Sequence, residues 1–308
     1  MLFCSKLGLI VDILKINTCP LCGGQQLEHA LTCTDNYASG ETFEVVRCAH
    51  CGFLMTQHAP VEAEIGKYYE TPDYISHSNI RKGLMNRIYH LVRRLMLARK
   101  AALVKRISKL DKGTMLDYGT GTGYFADAMK RNGWQVSAIE KSPQARFFAK
   151  EQFGMEVEAE DALKGYADGS MDVVTLWHVM EHLEDLNGMW KAFHRILKHH
   201  GVLVVAVPNP DSYDAQKYGE WWAAYDVPRH LWHFTPSVIQ RFGVRHGFIL
   251  EESLPMPFDA FYVSMLTEKY KGSRLSFVKG LWTGTCAWFS SLNKKERSSS
   301  MIYVFRKK

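Results

Sequence analysis

The sequence predicts an α/β fold in which a mainly parallel β-sheet is covered by helices on both faces, preceded by a small cysteine-rich module. From Thr114 onward, short apolar stretches alternate with amphipathic ones, which is the pattern of strands and helices in a parallel sheet. Near the N-terminus, four cysteines form two closely spaced pairs. A chain of 308 residues with 46% apolar content can bury one large core and support one small module.

The elements of the large domain follow from this alternation and from turn and capping residues. Strands are expected at 114–118, 135–139, 155–158, 171–176 and 202–207, with helices at 124–132, 143–153 and 186–199. Another helix should begin near Thr235, where a capping residue precedes Pro236 at the first helical position. Two late strands, at 248–253 and 301–305, bring the expected number of strands to seven.

The cysteine-rich module is predicted to be a zinc ribbon at residues 17–58, after an N-terminal extension at 1–16. Its ligands would be Cys19, Cys22, Cys48 and Cys51, which form two Cys-x-x-Cys pairs, each followed by glycine. Two tight turns of this kind present four thiolates to one tetrahedral ion. Such a closed site stabilises a fold, so we assign no chemistry to this zinc.

Residues 59–110 are expected to form a connector and a basic helix. Between Arg81 and Lys109 there are ten Lys and Arg residues and no acidic residue, although the net charge of the whole chain is only +6. The basic residues could bind RNA phosphates, a phosphorylated substrate or an anionic membrane surface. We favour the simpler alternative, in which the helix presents a solvated face while its apolar stripe packs on the domain.

A glycine-rich turn follows the first strand of the large domain, which we place at residues 111–308. Asp117 stands at the end of the strand, and glycines follow at every second position, 119, 121 and 123. Such a turn lets the backbone approach a ligand closely at a helix N-terminus. Tyr124 occupies the position where a dinucleotide fingerprint needs glycine, so pyrophosphate binding is disfavoured. The next strand ends at Glu140, whose carboxylate can accept hydrogen bonds from both hydroxyls of a ribose.

The turn resembles motif I of the class I S-adenosylmethionine (SAM)-dependent methyltransferases. This resemblance implies a Rossmann-like, seven-stranded methyltransferase sheet with SAM as cofactor. It implies that Asp117 orients the methionyl amino group and that Gly119, Gly121 and Gly123 leave room for the cofactor. Tyr124 and His178 would also line the cofactor site, and Asp161 and Ala162 match the place where the family contacts the adenine amino group.

The segment after the fourth strand, residues 176–183, resembles the signature of the group that contains the ubiquinone-pathway O-methyltransferases. On a helix, His178, Glu181 and His182 would share one face, and His233 from a second cluster could complete a divalent-metal site. The two segments resemble those of small-RNA 3′-end methyltransferases, which bind such an ion. The alternative, which we favour, is that Glu181 and His182 only position the helix. The candidate catalytic bases are His178, His182 and His230.

The combination resembles bacterial SAM-dependent methyltransferases with an N-terminal zinc ribbon. It implies methyl transfer to an O, N or C nucleophile of a small-molecule, sugar or glycan-type acceptor. Four nearby aromatic residues can form a stacking wall for such an acceptor, or can merely bury a lid: Trp221, Trp222, Tyr225 and Trp232.

Two other functions fit parts of the sequence. One is a zinc-ribbon rRNA methyltransferase, with RNA as partner, and the other is a non-enzymatic zinc-ribbon binding protein with a vestigial cofactor fold. The intact Asp117, glycines and Glu140 argue against the second. The apolar run at 1–16 is too short and too charged to span a bilayer, so a cytoplasmic protein is expected. The oligomeric state is left open.

Overall fold

The computed structural model describes residues 12–69 and 84–308, with backbone alone for 84–89. Most of the predicted extension, the second half of the connector and the first residues of the basic stretch lie outside the described residues. Among the helices of the described ranges, none combines the length and the hydrophobicity needed to cross a bilayer.

The N-terminal module is built from short antiparallel strands around two cysteine turns. Its strands are β1 (Ile13–Leu14), β2 (Leu27–Thr34), β3 (Thr42–Cys48), β4 (Leu54–Thr56) and β5 (Ala59–Pro60). Gly23 and Gly52, which follow the two cysteine pairs, have φ angles of 75° and 78°. This left-handed conformation is open to glycine without strain, which explains a glycine after each pair.

The basic helix α1 (Leu84–Ser108) precedes the large domain, which is an alternation of strands and helices. Its strands are β6 (Thr114–Tyr118), β7 (Gln135–Ile139), β8 (Met171–Trp177), β9 (Leu197–Pro208), β10 (Trp232–His233), β11 (Phe248–Met256) and β12 (Ser300–Lys307). Its further helices are α2 (Tyr124–Arg131), α3 (Pro143–Phe153), α4 (Leu186–Ile196), α5 (Tyr213–Tyr218), α6 (Pro236–Arg245), α7 (Asp259–Tyr270) and α8 (Ser276–Asn293). The predicted cap is present, because Thr235 accepts a backbone hydrogen bond ahead of α6, and Ser142 caps α3 in the same way.

The main sheet is mixed and has the order β11-β12-β9-β8-β6-β7. β7, β6, β8 and β9 are parallel, while β12 runs antiparallel to β9 and β11. The predicted count of seven strands is therefore wrong for the described residues, where the sheet has six. The missing strand is the one expected at 155–158, which makes only a single bridge between Glu158 and Ile139 and no ladder.

Two boundaries also differ from the prediction. The helix expected at 186–199 ends at Ile196, and the strand expected at 202–207 already begins at Leu197, which pairs with Met171 of β8. The three residues in question extend the sheet instead of the helix, across a register shift. The hairpin of α7 and α8, inserted between β11 and β12, was not predicted.

The N-terminal module and the large domain share one sheet and one core. β10 pairs with β4, which extends the module's sheet to the order β10-β4-β3-β2. Phe53 of the module is fully buried against the rings of Trp232, Phe234 and Phe242. The segment that contains Trp232 is thus held between the two parts of the chain.

Candidate active site

The glycine turn lies between β6 and α2, at the carboxyl end of the parallel strands. Gly119, Gly121 and Gly123 have φ angles of 72°, 56° and 80°. A Cβ atom added at Gly121 would meet nothing within 4 Å, so the backbone there faces open space. A Cβ at Gly119 would overlap Val179, which packs directly on the turn. The turn therefore leaves room for a ligand at position 121, next to a helix N-terminus.

Asp117 is buried at the base of this turn, with 1% of its surface exposed. Its two carboxylate oxygens accept hydrogen bonds from Thr175 (2.7 Å) and Thr120 (2.6 Å). Desolvation still raises the pKa of Asp117 above its ordinary value. A cationic ligand beside this carboxylate would be stabilised by it and would lower the pKa again.

Glu140 lies across the turn from Asp117 and is fixed by backbone donors. It accepts hydrogen bonds from the N–H groups of Gly121 (2.8 Å) and Ser142 (2.9 Å). Of the predicted adenine contacts, Ala162 is half-buried on a 3₁₀ turn, and Asp161 is exposed and paired with Lys164 at 3.2 Å.

A basic residue of α1 that the sequence did not single out also faces this site. The Lys100 amino group lies 4.1 Å from the centre of the Trp177 ring. Desolvation lowers the pKa of Lys100, and the carboxylates of Asp117 and Asp259 act in the opposite direction. The sequence could not identify Lys100 as a residue of this site, because it lies in a run of basic residues and nothing in the sequence distinguishes it from its solvated neighbours. Tyr124 is likewise covered by α1, with the Arg93 guanidinium 3.8 Å from its ring centre.

The expected acceptor side of the site is formed by the residues after β8, which do not form the expected helix. His178 has a φ of 58°, and Met180–His182 form a single 3₁₀ turn, so the predicted shared helical face is wrong. The turn nevertheless brings ligand atoms of Glu181, His182 and His230 within 4.8 Å of one another. Of the four metal ligands predicted from the sequence, this group contains Glu181 and His182, with His230 in place of His178 and His233.

The hydrogen bonds of the two histidines define which ring nitrogens carry protons. Nδ1 of His182 lies 2.9 Å from the carbonyl oxygen of Arg229, and Nδ1 of His230 lies 2.9 Å from that of Ala224. A carbonyl oxygen can only accept, so each Nδ1 donates, and in the neutral form of each ring Nε2 carries the lone pair. Both oxygens of Glu181 are buried and have no hydrogen-bond partner within the described part of the chain. A carboxylate and two imidazole rings therefore converge, and they could offer two lone pairs when both rings are neutral.

The ionisation of the cluster follows from burial and from two carboxylates. Desolvation lowers the pKa of His182 to about 4, so this imidazole is neutral at neutral pH. Desolvation acts in the same direction on His178, but its contacts with Asp259 (3.3 Å) and Glu181 (3.5 Å) outweigh it and raise the pKa to about 9. At neutral pH His178 is thus an imidazolium that can donate a proton, whereas His182 can accept one.

His233 and the aromatic residues of the predicted wall belong to the interior instead. Nε2 of His233 lies 3.0 Å from Oγ1 of Thr56, whose own proton goes to the carbonyl oxygen of His230 at 2.7 Å. Trp222 and Trp232 are buried and donate their indole N–H groups to the Asp214 carboxylate and the Leu183 carbonyl. The aromatic residues of the predicted wall other than Trp221, which is 38% exposed, are buried and so do not form an open stacking wall.

The N-terminal module positions the loop that carries His230. Arg229, the preceding residue, is buried and bonds Asp35 of the module at 2.9 Å and Asp226 at 2.6 Å. Thr56 of the module holds the His230 carbonyl. The acceptor side of the site is thus completed by residues that lie about 170 positions or more apart in the chain.

The four cysteines of the module fit one tetrahedral ion. Cys19 and Cys51 have their Sγ atoms 3.4 Å apart, Cys22 and Cys48 have theirs 3.5 Å apart, and all four lie within 4.8 Å of one another. A zinc ion with bonds of about 2.3 Å to four sulfurs separates those sulfurs by about 3.8 Å. The N–H of Gly24 points at Sγ of Cys22 (3.4 Å), as expected around a thiolate ligand.

Comparison with known proteins matches the chain to a family. Residues 90–253, just over half of the chain, match the family described as "Methyltransferase domain". The ubiquinone biosynthesis O-methyltransferase of Xanthomonas oryzae pv. oryzae is 31% identical to the chain over 133 residues, which cover 40% of the chain and 56% of the relative. The chain thus spans little more than half the length of that relative.

Solved structures with a similar fold include a SAM-dependent methyltransferase from Archaeoglobus fulgidus, with a TM-score of 0.48 and 18% identity over 77% of this chain and all of that one. Another is a phospholethanolamine N-methyltransferase 2 from Haemonchus contortus, in complex with S-adenosylhomocysteine, with a TM-score of 0.47 and 19% identity over 68% of this chain and 53% of that one. These likenesses concern the fold alone.

The Rossmann-like sheet and the match to the family identify a methyltransferase domain of the SAM-dependent class. The chain belongs to the methyltransferase domain family.

Proposed function

We propose that the enzyme transfers the methyl group of SAM to an O, N or C nucleophile of a small-molecule, sugar or glycan-type acceptor. The observation that carries this proposal is the contact between the cofactor turn and the acceptor-side cluster. Val179 packs on Gly119, and Glu181 and His182 follow within three residues. A methyl group held above the turn would therefore face a carboxylate and a neutral imidazole, and positioning of this kind supplies much of the rate in methyl transfer.

Within the cofactor site, we assign the polar groups of SAM to individual residues. Asp117 is the partner for the methionyl ammonium, and Lys100 is the cation available for the methionyl carboxylate. Glu140 lies at the strand end suited to the ribose hydroxyls. Asp161 and Ala162 stay the candidates for the adenine edge. This arrangement would place the two charged ends of the methionyl group between two side chains of opposite sign.

The cluster of Glu181, His182 and His230 is our candidate for the group that deprotonates the acceptor. His182 is neutral and has a free Nε2, which suits a general base, whereas His178 would stabilise negative charge as an imidazolium. The same three residues also fit a divalent metal, which lowers the pKa of a bound hydroxyl when present. Elemental analysis separates the alternatives: two metal ions per chain support a metal at the cluster, and a single ion supports the general base.

We also propose that the four cysteines hold a structural zinc ion. The supporting observations are the convergence of the four sulfurs and the glycine turns that present them. This zinc would act at a distance, by keeping Asp35 and Thr56 against the loop that carries His230.

A small acceptor is favoured over RNA by the contacts of α1. Three of its basic side chains, Arg93, Arg99 and Lys100, lie over the rings of Tyr124, Phe258 and Trp177. Its exposed side carries the apolar residues Leu91, Val92 and Leu95, which do not bind phosphates, beside the basic residues Arg94, Arg99, Lys105 and Arg106. Lys105 and Arg106 are paired with carboxylates, so this side is not a continuous basic surface. The similarity to a ubiquinone-pathway O-methyltransferase also supports a small acceptor.

The test is methyl transfer from labelled SAM into fractions of a cell extract, with the Asp117→Asn variant as the inactive control. We expect label in a small-molecule or glycan fraction and none from the variant. Label recovered in RNA, together with an RNA affinity that falls steeply with salt, would contradict the proposed acceptor class.

A further inference from the structure

In the hairpin of α7 and α8, helix α8 has small residues on its buried face and large apolar residues on its exposed face, the reverse of an ordinary amphipathic helix. The face of α8 that packs on α7 consists of small residues: Gly280, Thr283, Gly284, Ala287 and Ser291. A Cβ at Gly280 would lie 2.5 Å from Cα of Met265, and one at Gly284 would lie 2.8 Å from Cα of Phe261. The two helices therefore approach so closely that only glycine fits at these points, a packing that is common between helices in lipid.

The large apolar side chains of α8 point away from the protein. Val278, Leu281, Trp282, Phe289 and Leu292 are between 44% and 68% exposed, and Phe277 and Leu275 at the start of the helix are 65% and 60% exposed. The first five recur at helical spacing and form one stripe, which we call the outer face of α8. Scattered exposed apolar residues are ordinary, but a continuous stripe that includes Trp and Phe marks a surface that contacts something apolar.

The charges around the outer face select the kind of partner. Between Lys269 and Lys295 there are six Lys and Arg residues and no acidic residue. Lys271, Arg274, Lys279 and Lys294 are all exposed. A second copy of the chain would bring the same positive charges against one another, whereas an anionic lipid surface complements both the apolar stripe and its basic surroundings.

We propose that the α7–α8 hairpin docks on an anionic bilayer, with the outer face of α8 lying in the boundary between headgroups and acyl chains. Neither helix of the hairpin is long and apolar enough to span the membrane, so the contact is interfacial. The hairpin also begins at the active site, because Asp259, the first residue of α7, contacts His178. Docking would thus bring the acceptor site to the membrane surface, where it could use a lipid-linked acceptor; this last point alone rests on the proposed function.

The experiment is co-sedimentation of the full chain with vesicles, without SAM or acceptor, so that failure of the proposed function would not affect the result. Vesicles of phosphatidylcholine with about 30% phosphatidylglycerol, which carry a negative surface charge, are compared with vesicles of pure phosphatidylcholine, which do not. We expect the wild type to bind the anionic vesicles, and we expect this binding to weaken by about tenfold or more at high salt. The double variant Trp282→Ser, Phe289→Ser should bind the same vesicles about tenfold or more weakly than the wild type.

Matched controls separate docking from folding and from general stickiness. Phe147 on α3 is 66% exposed, and Phe147→Ser should leave vesicle binding unchanged. The double variant should keep the melting temperature and SAM affinity of the wild type, because its side chains contribute little to the interior. Equal binding by the double variant and the wild type would overturn the proposal. So would a dimer of the wild type that the double variant dissociates, since the outer face would then be covered by a second copy.

Discussion

The cofactor turn and the acceptor-side cluster meet at the same edge of the sheet but are assembled from very different distances along the chain. In the cofactor turn, Asp117 bonds Thr120 and Thr175, and Glu140 bonds Gly121, so the bonded partners are 3, 58 and 19 residues apart. In the acceptor-side cluster, the carbonyl of His230 is held by Thr56, 174 residues away. The turn is a local motif that tolerates change elsewhere, whereas the cluster depends on the N-terminal module and should fail with it.

Loss of the cysteine site should have the largest effect on the difference between the cofactor turn and the acceptor-side cluster. Replacing Cys19 and Cys48 by Ser removes two ligands of a site whose metal contributes about 10–16 kcal/mol to folding in small zinc modules. We expect zinc to be lost from the protein, the module to unfold and methyl transfer to fall by at least about 100-fold, while SAM affinity changes by less than about threefold. Calorimetry with SAM and elemental analysis measure the two parts. A parallel loss of SAM affinity would show that the two regions are one cooperative unit.

Breaking the buried ion pair between the module and the acceptor loop is the next largest change. Asp35→Asn leaves the buried guanidinium of Arg229 without one of its two carboxylate partners, which costs about 3 kcal/mol at such sites. The free energy of unfolding in denaturant should fall by that amount. Glu252→Gln, in the more exposed pair with Arg106, is the control and should cost about 1 kcal/mol or less. Equal costs for the two variants would remove the support for a buried anchor.

A smaller effect is expected from the lysine that faces the cofactor. Lys100→Gln removes the cation available for the SAM carboxylate and should weaken SAM binding about tenfold, or about 1.4 kcal/mol. Arg94→Gln, an exposed change on the same helix, should leave the affinity unaltered. If both variants bind SAM like the wild type, Lys100 has no part in the cofactor site.

The pH dependence of SAM binding should be the mildest of these effects. Because burial raises the pKa of Asp117, the carboxylate is fully ionised only above that raised value. An ammonium group binds the ionised form, so SAM affinity should be constant at higher pH and fall as the pH drops through the pKa of Asp117. Calorimetry across pH measures this, and Asp117→Asn should abolish the dependence. A pH dependence that survives in Asp117→Asn would assign it to another group.

The difference between the two regions also explains how far the sequence could predict the structure. Asp117, the three glycines and Glu140 lie within 24 consecutive residues, and their spacing alone places them around one turn. The start of α6 was predictable for the same reason, since Thr235 is a local cap, and Ser142 caps the start of α3 in the same way.

What could not be predicted depends on contacts that spacing does not encode. His230 and not His233 joins Glu181 because the module binds His233 through Thr56. The positive φ of His178 turns an apparent helical face into a 3₁₀ turn. The α7–α8 hairpin escaped prediction because its apolar residues face outward and its small residues inward, which inverts the pattern by which amphipathic helices are read.

The most direct test compares Asp117→Asn with Glu181→Gln in the same two measurements: SAM affinity by calorimetry, and methyl incorporation at saturating SAM into the extract fraction that serves the wild type. For Asp117→Asn we expect SAM affinity to fall by at least about 100-fold, because a buried charge pair loses one partner. For Glu181→Gln we expect SAM affinity within about threefold of the wild type and methyl incorporation lower by at least about 100-fold. Unchanged incorporation by Glu181→Gln, or an equal loss of SAM affinity in both variants, would contradict the assignment of separate cofactor and acceptor regions.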